Sequence, residues 1–304
     1  LGVHDGAIRL FTMARCPHQR RFDWDFIKVT PSHTYCIDDY GAKHVYRGRP
    51  IGDREHVDRV IKRIEDWDRI QPLDIQKGVY ARQLRCLQMV LEQRNPDTPV
   101  IQTLFSPLSM ARFLADDLYV VHLRRNPTRV VRALAALTET CAAFARAAIS
   151  AGADGIFLST MATTYDVLSP SEQREIGGPA DLAVLEAARS GWLNILHVHG
   201  QQPMIREVAD YPVHGLSWHD RAAGPSLAEA AALFPGALVA GIEQFSLLNC
   251  GTPAEVAAQV TDALMQTGGH RLIVAAGCTY PLTVPECNLV AARQAVEKIA
   301  SKNR

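Results

Sequence analysis

The sequence predicts a single α/β domain of the (β/α)8 class, the TIM barrel. Apolar, strand-like runs alternate with helical segments from about residue 95 to the C-terminus, and repeated strand–helix units form parallel sheets. The runs are short, rich in Val, Ile and Leu, and apolar on both faces, which is typical of buried parallel strands. The length of 304 residues suits one barrel. A doubly wound parallel sheet is the alternative architecture.

Seven runs predict strands, and we expect an eighth strand among the less regular early residues. In chain order, the runs are 25–31, 99–105, 153–159, 193–200, 213–220, 237–244 and 270–278. Between the first two runs, segment 35–50 predicts a hairpin that turns at Tyr40-Gly41.

Helices are predicted between these strands from apolar periodicity and capping residues. Residues 128–151 place an apolar residue at every third or fourth position, and Gly152 follows them. Residues 253–267 follow the capping residue Thr252 and end at Gly268. The other predicted helices are 54–70, 106–116, 180–190, 226–233 and 285–302.

The chain is expected to contain one structured unit. Residues 1–22 show no clear periodicity and do not begin with Met, so we expect an irregular N-terminal segment that is incomplete. Residues 23–304 are expected to form the barrel domain.

Composition argues against several classes of protein. Lys plus Arg and Asp plus Glu each total 32, so the net charge is zero and no nucleic-acid partner is expected. The seven cysteines are widely spaced and include no CxxC pair, which favours a reduced, cytoplasmic chain over a disulfide framework. No apolar run approaches the roughly 20 residues of a membrane span, so no membrane partner is expected.

Functional side chains of a parallel barrel lie where strands end, and one run ends in His197-Val198-His199. Residues two apart on a strand face the same side, so both imidazoles point together. The last run ends in Cys278. Two imidazoles and a thiolate around one open position form a catalytic zinc site. The alternatives are a hydrogen-bonded histidine pair in a polar pocket and a cysteine that only packs.

Four other residues near strand ends are candidates for acid–base or orienting roles. His219 and Asp220 are the last two residues of the run 213–220, Glu243 lies at the end of the next run, and Tyr165 follows the run 153–159. Structural roles are the alternatives, such as an ion pair of Asp220 with Arg221 or a buried ion pair of Glu243.

Two further residues are candidates for binding a cofactor or substrate. Trp218 is a candidate apolar wall of the pocket, and Gln102 lies near the mouth of the strand 99–105. The chain contains no P-loop and no GxGxxG sequence, so a nucleotide held by such a loop is not expected.

Five stretches of the chain resemble the uroporphyrinogen decarboxylase superfamily, which also contains cobamide-dependent methyltransferases. The stretch 275–296 is the most specific, because its TVPECNL closely follows the superfamily's closing pattern. The resemblance covers nearly all of the chain after about residue 22, and it implies a barrel with a deep cleft at the strand C-termini and often a homodimer. The other four stretches are 25–43, 152–160, 180–200 and 238–244.

Two branches of this superfamily imply different functions. The decarboxylase branch carries a Gly-His-Gly motif where Cys278 stands here, an N-terminal Arg-rich motif that has no match, and an Asp where Thr30 stands. The methyltransferase branch binds zinc through His-x-Cys on a middle strand and a Cys on the last strand. His197 and Cys278 match that pattern, and His199 stands where Cys is usual.

The resemblance therefore favours a zinc-dependent enzyme of the methyltransferase type. Zinc on His197, His199 and Cys278 would activate water or the thiol or alkoxide of a small-molecule substrate. The methyl donor would be a corrinoid, which a separate protein could carry. The alternatives are a cofactor-free uroporphyrinogen decarboxylase of porphyrin biosynthesis and a non-catalytic barrel that binds a corrinoid or another small molecule.

Overall fold

The computed structural model describes residues 16–302, and seven parallel strands within them form one curved sheet. Numbered in chain order, the nine strands of this part of the chain are β1 Ile27–Val29, β2 Lys43–Val45, β3 Glu55–Asp58, β4 Val100–Phe105, β5 Gly155–Thr160, β6 Ile195–Val198, β7 Gly215–Trp218, β8 Ala237–Ile242 and β9 Leu272–Ala276. The main sheet has the order β1-β4-β5-β6-β7-β8-β9, and β2 pairs with β3 as a separate antiparallel hairpin.

Helices connect the parallel strands. The helical segments are Tyr35–Asp38, Ile64–Arg69, Gly78–Gln93, Pro107–Ala115, Leu118–Arg125, Pro127–Ser150, Pro170–Glu172, Gln173–Gly177, Gly178–Ala187, Arg206–Val208, Asp220–Ala223, Leu227–Leu233, Leu247–Cys250, Pro253–Thr267 and Glu286–Lys302. The predicted α/β barrel class is confirmed, because neighbouring strands in the sheet are parallel and follow one another in chain order, apart from the inserted hairpin.

The sheet curls so that its two end strands approach each other. Phe26, directly before β1, and Ile273 on β9 pack in one interior cluster with Ile101 and Phe157 from the strands between them. Arg293 of the last helix pairs with Asp23 and Asp25, which precede β1. The ends of the sheet are thus tied together without the expected eighth parallel strand among residues 16–302.

The region before β4 differs most from the sequence prediction. Residues 35–38 form a helical turn, and the hairpin pairs 43–45 with 55–58. Residues 54–70 were predicted as one helix, but they contain β3 and a short 3-10 helix, 64–69. The reason is tertiary, because Ile61 and Trp67 are buried in the core and their segment must follow the surface of the barrel.

The segment before β1 also differs from the prediction. Residues 1–15 lie outside the described part of the chain, whereas residues 16–22, expected to be irregular, are helical. Cys16 and Phe22 are both buried, the first against β1 and the second against the last helices. Burial of these two side chains stabilises a helix that has little periodicity of its own.

One helix in the described chain, Pro127–Ser150, is long and apolar enough by composition to cross a membrane. Half of the window that meets this test is buried within the fold, and Leu137 and Phe144 belong to the main hydrophobic core. These contacts are typical of the core helix of a barrel.

The helix Gly178–Ala187 carries a buried carboxyl group. Asp181 is 2% exposed and shares a hydrogen bond with Gln173, whose Nε2 donates to the Tyr211 hydroxyl. Burial raises the pKa of Asp181 to about 8, against the lowering effect of Gln173. The carboxyl group is therefore mostly protonated at neutral pH.

The substitution Asp181→Asn is expected to raise stability at pH 8 and to leave it nearly unchanged at pH 4. An unfolded Asp has a pKa of about 4, so only the unfolded chain releases this proton between pH 4 and 8. The stability linked to the raised pKa is complete below pH 4 and is lost as the pH rises to about 8. Urea unfolding of the variant and the wild type across this range measures the effect.

Asp97→Asn is the matched control for this experiment, because Asp97 is exposed. Its unfolding free energy should follow the wild type at every pH. If the free energy of unfolding changed equally with pH in the wild type and in Asp181→Asn between pH 4 and 8, Asp181 would be ionised in the folded protein.

Candidate metal centre

Four side chains converge at the C-terminal ends of the strands. His197, His199, His219 and Cys278 each offer one ligand atom, and these four atoms lie within 4.8 Å of one another. They come from the ends of β6, β7 and β9, which are not all adjacent in the sheet. The curvature of the sheet therefore brings the final strand's sulfur to the imidazoles of the middle strands.

His197 is oriented by the neighbouring strand. The register of β6 and β7 places Ser217 opposite His197, and the Ser217 hydroxyl is 3.1 Å from His197 Nδ1. The ring stacks on Phe157 with its centroid 5.5 Å away, and the residue is 3% exposed. Its Nε2 is buried and has no hydrogen-bond partner among the described residues. This nitrogen is free to accept a ligand.

His199 and His219 form the second part of the cluster. His219 Nε2 is 3.1 Å from His199 Nδ1, and the rings are nearly perpendicular at 82°. Gly200 follows His199 with φ +137°, and a Cβ there would lie 2.5 Å from the Thr164 hydroxyl oxygen. Only glycine fits this position, so the chain can turn sharply immediately after the histidine pair.

Cys278 reaches the cluster because Gly277 lacks a side chain. A Cβ at Gly277 would lie 3.0 Å from His219 Cα and 3.3 Å from both the Trp218 carbonyl oxygen and Gln244 Oε1. The close approach of these backbones places the thiol, which is partly exposed, at the rim of the cluster. A side chain at residue 277 would push the sulfur away from the imidazoles.

The three imidazoles are held neutral. Burial, with the neighbouring His199, His219 and Lys28, lowers the pKa of His197 well below its usual value. Burial, His219 and Arg112 lower the pKa of His199 to about 4. Burial also lowers the pKa of His219, although the charge of Glu243 opposes this shift. Neutral imidazoles have the lone pairs that metal ligation requires.

A zinc ion fits this donor set. A buried imidazole nitrogen without a partner is costly unless another group satisfies it, and His197, whose Nε2 is such a nitrogen, belongs to a cluster that supplies three further nitrogen and sulfur ligands. Zinc–nitrogen bonds of about 2.0–2.1 Å place two ligand atoms of a tetrahedral site about 3.3 Å apart. The separation of 3.1 Å between His219 and His199 is close to this value.

The two residues predicted to bind a cofactor lie on the outer face of the sheet. Trp218 is fully buried in the core between the sheet and the helices, and its indole N–H donates to the Pro225 carbonyl. Gln102 is fully buried on the face of β4 that also carries Val100 and Leu104. Alternation along each strand turns both side chains away from the interior.

Glu243 is close to the cluster but engaged elsewhere. Its carboxylate accepts hydrogen bonds from the backbone N–H groups of Phe245, Ser246 and Leu247 and from the Ser246 hydroxyl. Burial raises the pKa of Glu243, but these hydrogen bonds outweigh it and give a net lowering. Glu243 thus stays ionised and acts on His219 through its charge.

Asp220 and Tyr165 also have structural partners. Asp220 is 9% exposed, accepts from the Gly241 N–H at 3.1 Å and pairs with Arg221. Burial raises the pKa of Asp220. Tyr165 is 42% exposed and donates to Glu207 in the short helical segment Arg206–Val208. Of the four acid–base candidates, only His219 belongs to the cluster.

Sequence reasoning missed Ser217, Gln244 and Lys28. The Lys28 ammonium lies 4.0 Å from the centre of the Phe157 ring, and that ring stacks on His197. Ser217 and Gln244 contact His197 and His219 respectively. Lys28 and Ser217 could have been identified from the sequence, because each is a polar residue at an inward-facing position of a predicted strand.

The model of the uroporphyrinogen decarboxylase family matches residues 20–299. The chain belongs to this family. The match covers every strand of the main sheet and the residues of the histidine and cysteine cluster.

Similar proteins are methyltransferases. The methylcobamide:CoM methyltransferase MtbA of Methanosarcina acetivorans is 21% identical over 294 residues, which cover 94% of this chain and 83% of that protein. The protein of the same name from Methanosarcina mazei is 22% identical over 75% of this chain and 67% of its own length.

Solved structures are similar in fold. A methyltransferase from Methanosarcina mazei superposes with a TM-score of 0.83 at 19% identity, over 96% of this chain and 86% of that one. A B12-independent methionine synthase from Shewanella sp. W3-18-1, in complex with selenomethionine, gives a TM-score of 0.65 at 16% identity, covering 99% and 88% of the two chains.

Proposed function

We propose that this protein is a zinc-dependent methyltransferase, with the metal on His197, His199 and Cys278 and with His219 as a fourth candidate ligand. The observation that carries the proposal is the convergence of one ligand atom each from His197, His199, His219 and Cys278 within 4.8 Å of one another, together with a buried His197 Nε2 that has no hydrogen-bond partner within the described part of the chain. The relatives support the reaction class, because their name specifies methyl transfer from a methylcobamide to CoM.

Zinc bound there supplies Lewis acidity, which lowers the pKa of a coordinated thiol, alcohol or water. Two neutral imidazoles and one thiolate, the three ligands of the proposed site, would cancel only one of its two positive charges and would leave a fourth position for the substrate. A site with a residual positive charge favours an anionic nucleophile over a neutral one. The proposed substrate is therefore a small molecule that reacts as a thiolate or an alkoxide, with water as a competing nucleophile.

The protein's own residues position the reaction. Ser217 fixes the His197 ring, and Phe157 packs against its face, so the imidazole keeps its orientation when substrate enters. Ile101, Ile195 and Val239 close the barrel below the site and exclude water from that side. The nucleophile's proton leaves through the open strand-end mouth, where Cys278 is partly exposed.

The methyl donor is proposed to be a corrinoid, which approaches from the same mouth and is carried on a separate protein. The methyl group bonds to the nucleophile while its bonding electron pair stays on the donor. Glu243 contributes by its negative charge beside His219 rather than by proton transfer, because backbone N–H groups occupy its carboxylate. We also propose a cytoplasmic location and a homodimer.

Two measurements test this function. Protein purified without chelators should contain one equivalent of zinc, and it should transfer methyl groups from methylcobalamin to a thiol. Removal of the metal should abolish transfer, and added zinc should restore it. Turnover of uroporphyrinogen by metal-free protein would instead favour the decarboxylase alternative, and ligand binding without turnover would favour a binding barrel.

Cys278→Ser is expected to lower methyl transfer at least about 100-fold and to remove the thiolate-to-metal absorption band of Co²⁺-substituted protein. A serine hydroxyl is a poor ligand because it does not ionise near neutral pH, whereas a zinc-bound thiol is deprotonated. Cys250→Ser is the matched control, since Cys250 is exposed and not a member of the cluster. An unchanged band in Cys278→Ser would remove this sulfur from the site.

A further inference from the structure

Gln244 begins a partly buried chain of hydrogen bonds that runs into the cluster. Its side chain is 3% exposed, and its amide Nε2 is 3.2 Å from His219 Nδ1. The other nitrogen of that ring, Nε2, is 3.1 Å from His199 Nδ1. The Gln244 amide therefore contacts the cluster through the His219 ring, at Nδ1, whereas Nε2 of the same ring contacts His199.

We infer that Gln244 is a positioning residue whose amide selects the ring nitrogen of His219 that carries the proton, and with it the availability of the Nε2 lone pair to a metal. This inference rests on the proposed metal site. It assigns a function to a residue that is not a member of the proposed ligand set.

A primary amide has NH2 donors and a carbonyl acceptor, and the two exchange places when the amide turns by 180°. When the NH2 group donates to His219 Nδ1, the proton is on Nε2 and is donated to His199. When the carbonyl accepts from Nδ1–H, Nε2 has a lone pair that faces His199 and the rest of the cluster.

The spacing of the two imidazoles accommodates both arrangements. A separation of 3.1 Å between His219 Nε2 and His199 Nδ1 is a normal hydrogen-bond length. It also nearly equals the distance of about 3.3 Å between two nitrogens on one tetrahedral zinc. A metal could therefore replace the shared proton at nearly the same separation of the two nitrogens, with each ring turned so that its lone pair points at the ion, provided that Gln244 turns its carbonyl towards Nδ1.

Few other side chains could serve this purpose at residue 244. A carboxylate only accepts and would hold His219 permanently in the Nδ1–H form, whereas an aliphatic side chain would support neither form. The backbone of Gly277 also restricts the space around this side chain. The side-chain oxygen of Gln244, Oε1, lies only 3.3 Å from the position that a Cβ of residue 277 would occupy. The buried amide is thus held between the end of β9 and the histidine.

The first test is made on metal-free protein and is independent of zinc binding. Imidazole ¹⁵N NMR of the wild type should show His219 mainly as the Nε2–H tautomer. Gln244→Glu, measured at pH 8, should shift this ring to the Nδ1–H tautomer, and Gln244→Leu should give a mixture. The same tautomer ratio in the wild type and in Gln244→Glu would overturn the inference.

The second test uses Co²⁺ titration followed by visible absorption. Loss of a hydrogen bond to a ligand histidine typically weakens metal binding about 10–100-fold, so Gln244→Leu should bind Co²⁺ that much more weakly. Gln244→Glu should bind at least as tightly as the wild type, because its carboxylate restores the acceptor. Gln266→Leu, which removes a hydrogen bond to Asp262, should match the wild type.

These outcomes separate the inference from the proposed function. A wild type that binds no Co²⁺ contradicts the metal site, and the NMR result still decides the role of Gln244. Equal Co²⁺ affinity for Gln244→Leu and the wild type contradicts the inference alone. If Gln244→Leu does not fold, Gln244→Glu decides the question by its tautomer and its Co²⁺ affinity.

Discussion

His197→Ala is expected to lower the affinity for Zn²⁺ by about 10²–10³-fold. Four-ligand zinc sites bind with about 10–16 kcal/mol, so one ligand contributes about 3–4 kcal/mol. His197 is the ligand candidate whose position is most restricted, since Ser217 and Phe157 hold its ring and its Nε2 is buried without a partner among the described residues. Competition with a chromophoric chelator measures the change.

The stability of metal-free His197→Ala provides a second, independent measurement. The wild-type imidazole has a buried nitrogen without a partner among residues 16–302, so its removal should cost less than an ordinary core truncation when no metal is present. His270→Ala is the matched control, because His270 is exposed. Wild-type zinc affinity in His197→Ala would remove the basis of the proposed function.

Gly155→Ala is expected to lower the free energy of unfolding by about 4 kcal/mol or more, or to prevent folding. A Cβ at this position in β5 would lie 2.1 Å from the Leu193 carbonyl oxygen and 2.3 Å from the carbonyl carbon. The Leu193 backbone N–H donates to the Asp154 carbonyl, so this segment cannot move without separating the chain before β5 from the chain before β6. Urea unfolding measures the loss.

Gly48→Ala is the control for the backbone effect of the same substitution. Gly48 has φ +74° but no atom within 4 Å of an added Cβ, so only the left-handed conformation is penalised, by about 1–2 kcal/mol. A similar loss of unfolding free energy in Gly155→Ala and Gly48→Ala would contradict the prediction. It would show that the segment before β6 moves enough to accommodate the methyl group added to β5.

The regular part of the barrel could be predicted because its signals are local. The helices predicted at 106–116, 128–151 and 253–267 are observed as Pro107–Ala115, Pro127–Ser150 and Pro253–Thr267. Each begins with a side-chain cap followed by proline, and such caps act within a few residues along the chain. The region before β4 lacked these signals, and its path depends on contacts with the finished barrel.

The candidate site was predictable only in part. Strand alternation was enough to pair His197 with His199, and the position of Cys278 after the last strand was enough to propose a third ligand. His219 was identified as an orienting residue, but no local pattern indicates that its Nε2 comes within 3.1 Å of His199. Ser217 and Gln244 contact the histidines only because neighbouring strands are in register and the sheet is curved.

The sequence by itself determined the alternation of strands and helices, the family, and the residues offered at the strand ends. Local capping, apolar periodicity and strand alternation are short-range properties that a chain expresses wherever it lies. Only the tertiary structure decided which strand ends meet, which of their side chains face inward, and which partners orient each imidazole. Those outcomes depend on the curvature of the sheet and on the close approach of Gly277 to His219, and both join residues that are distant in the chain.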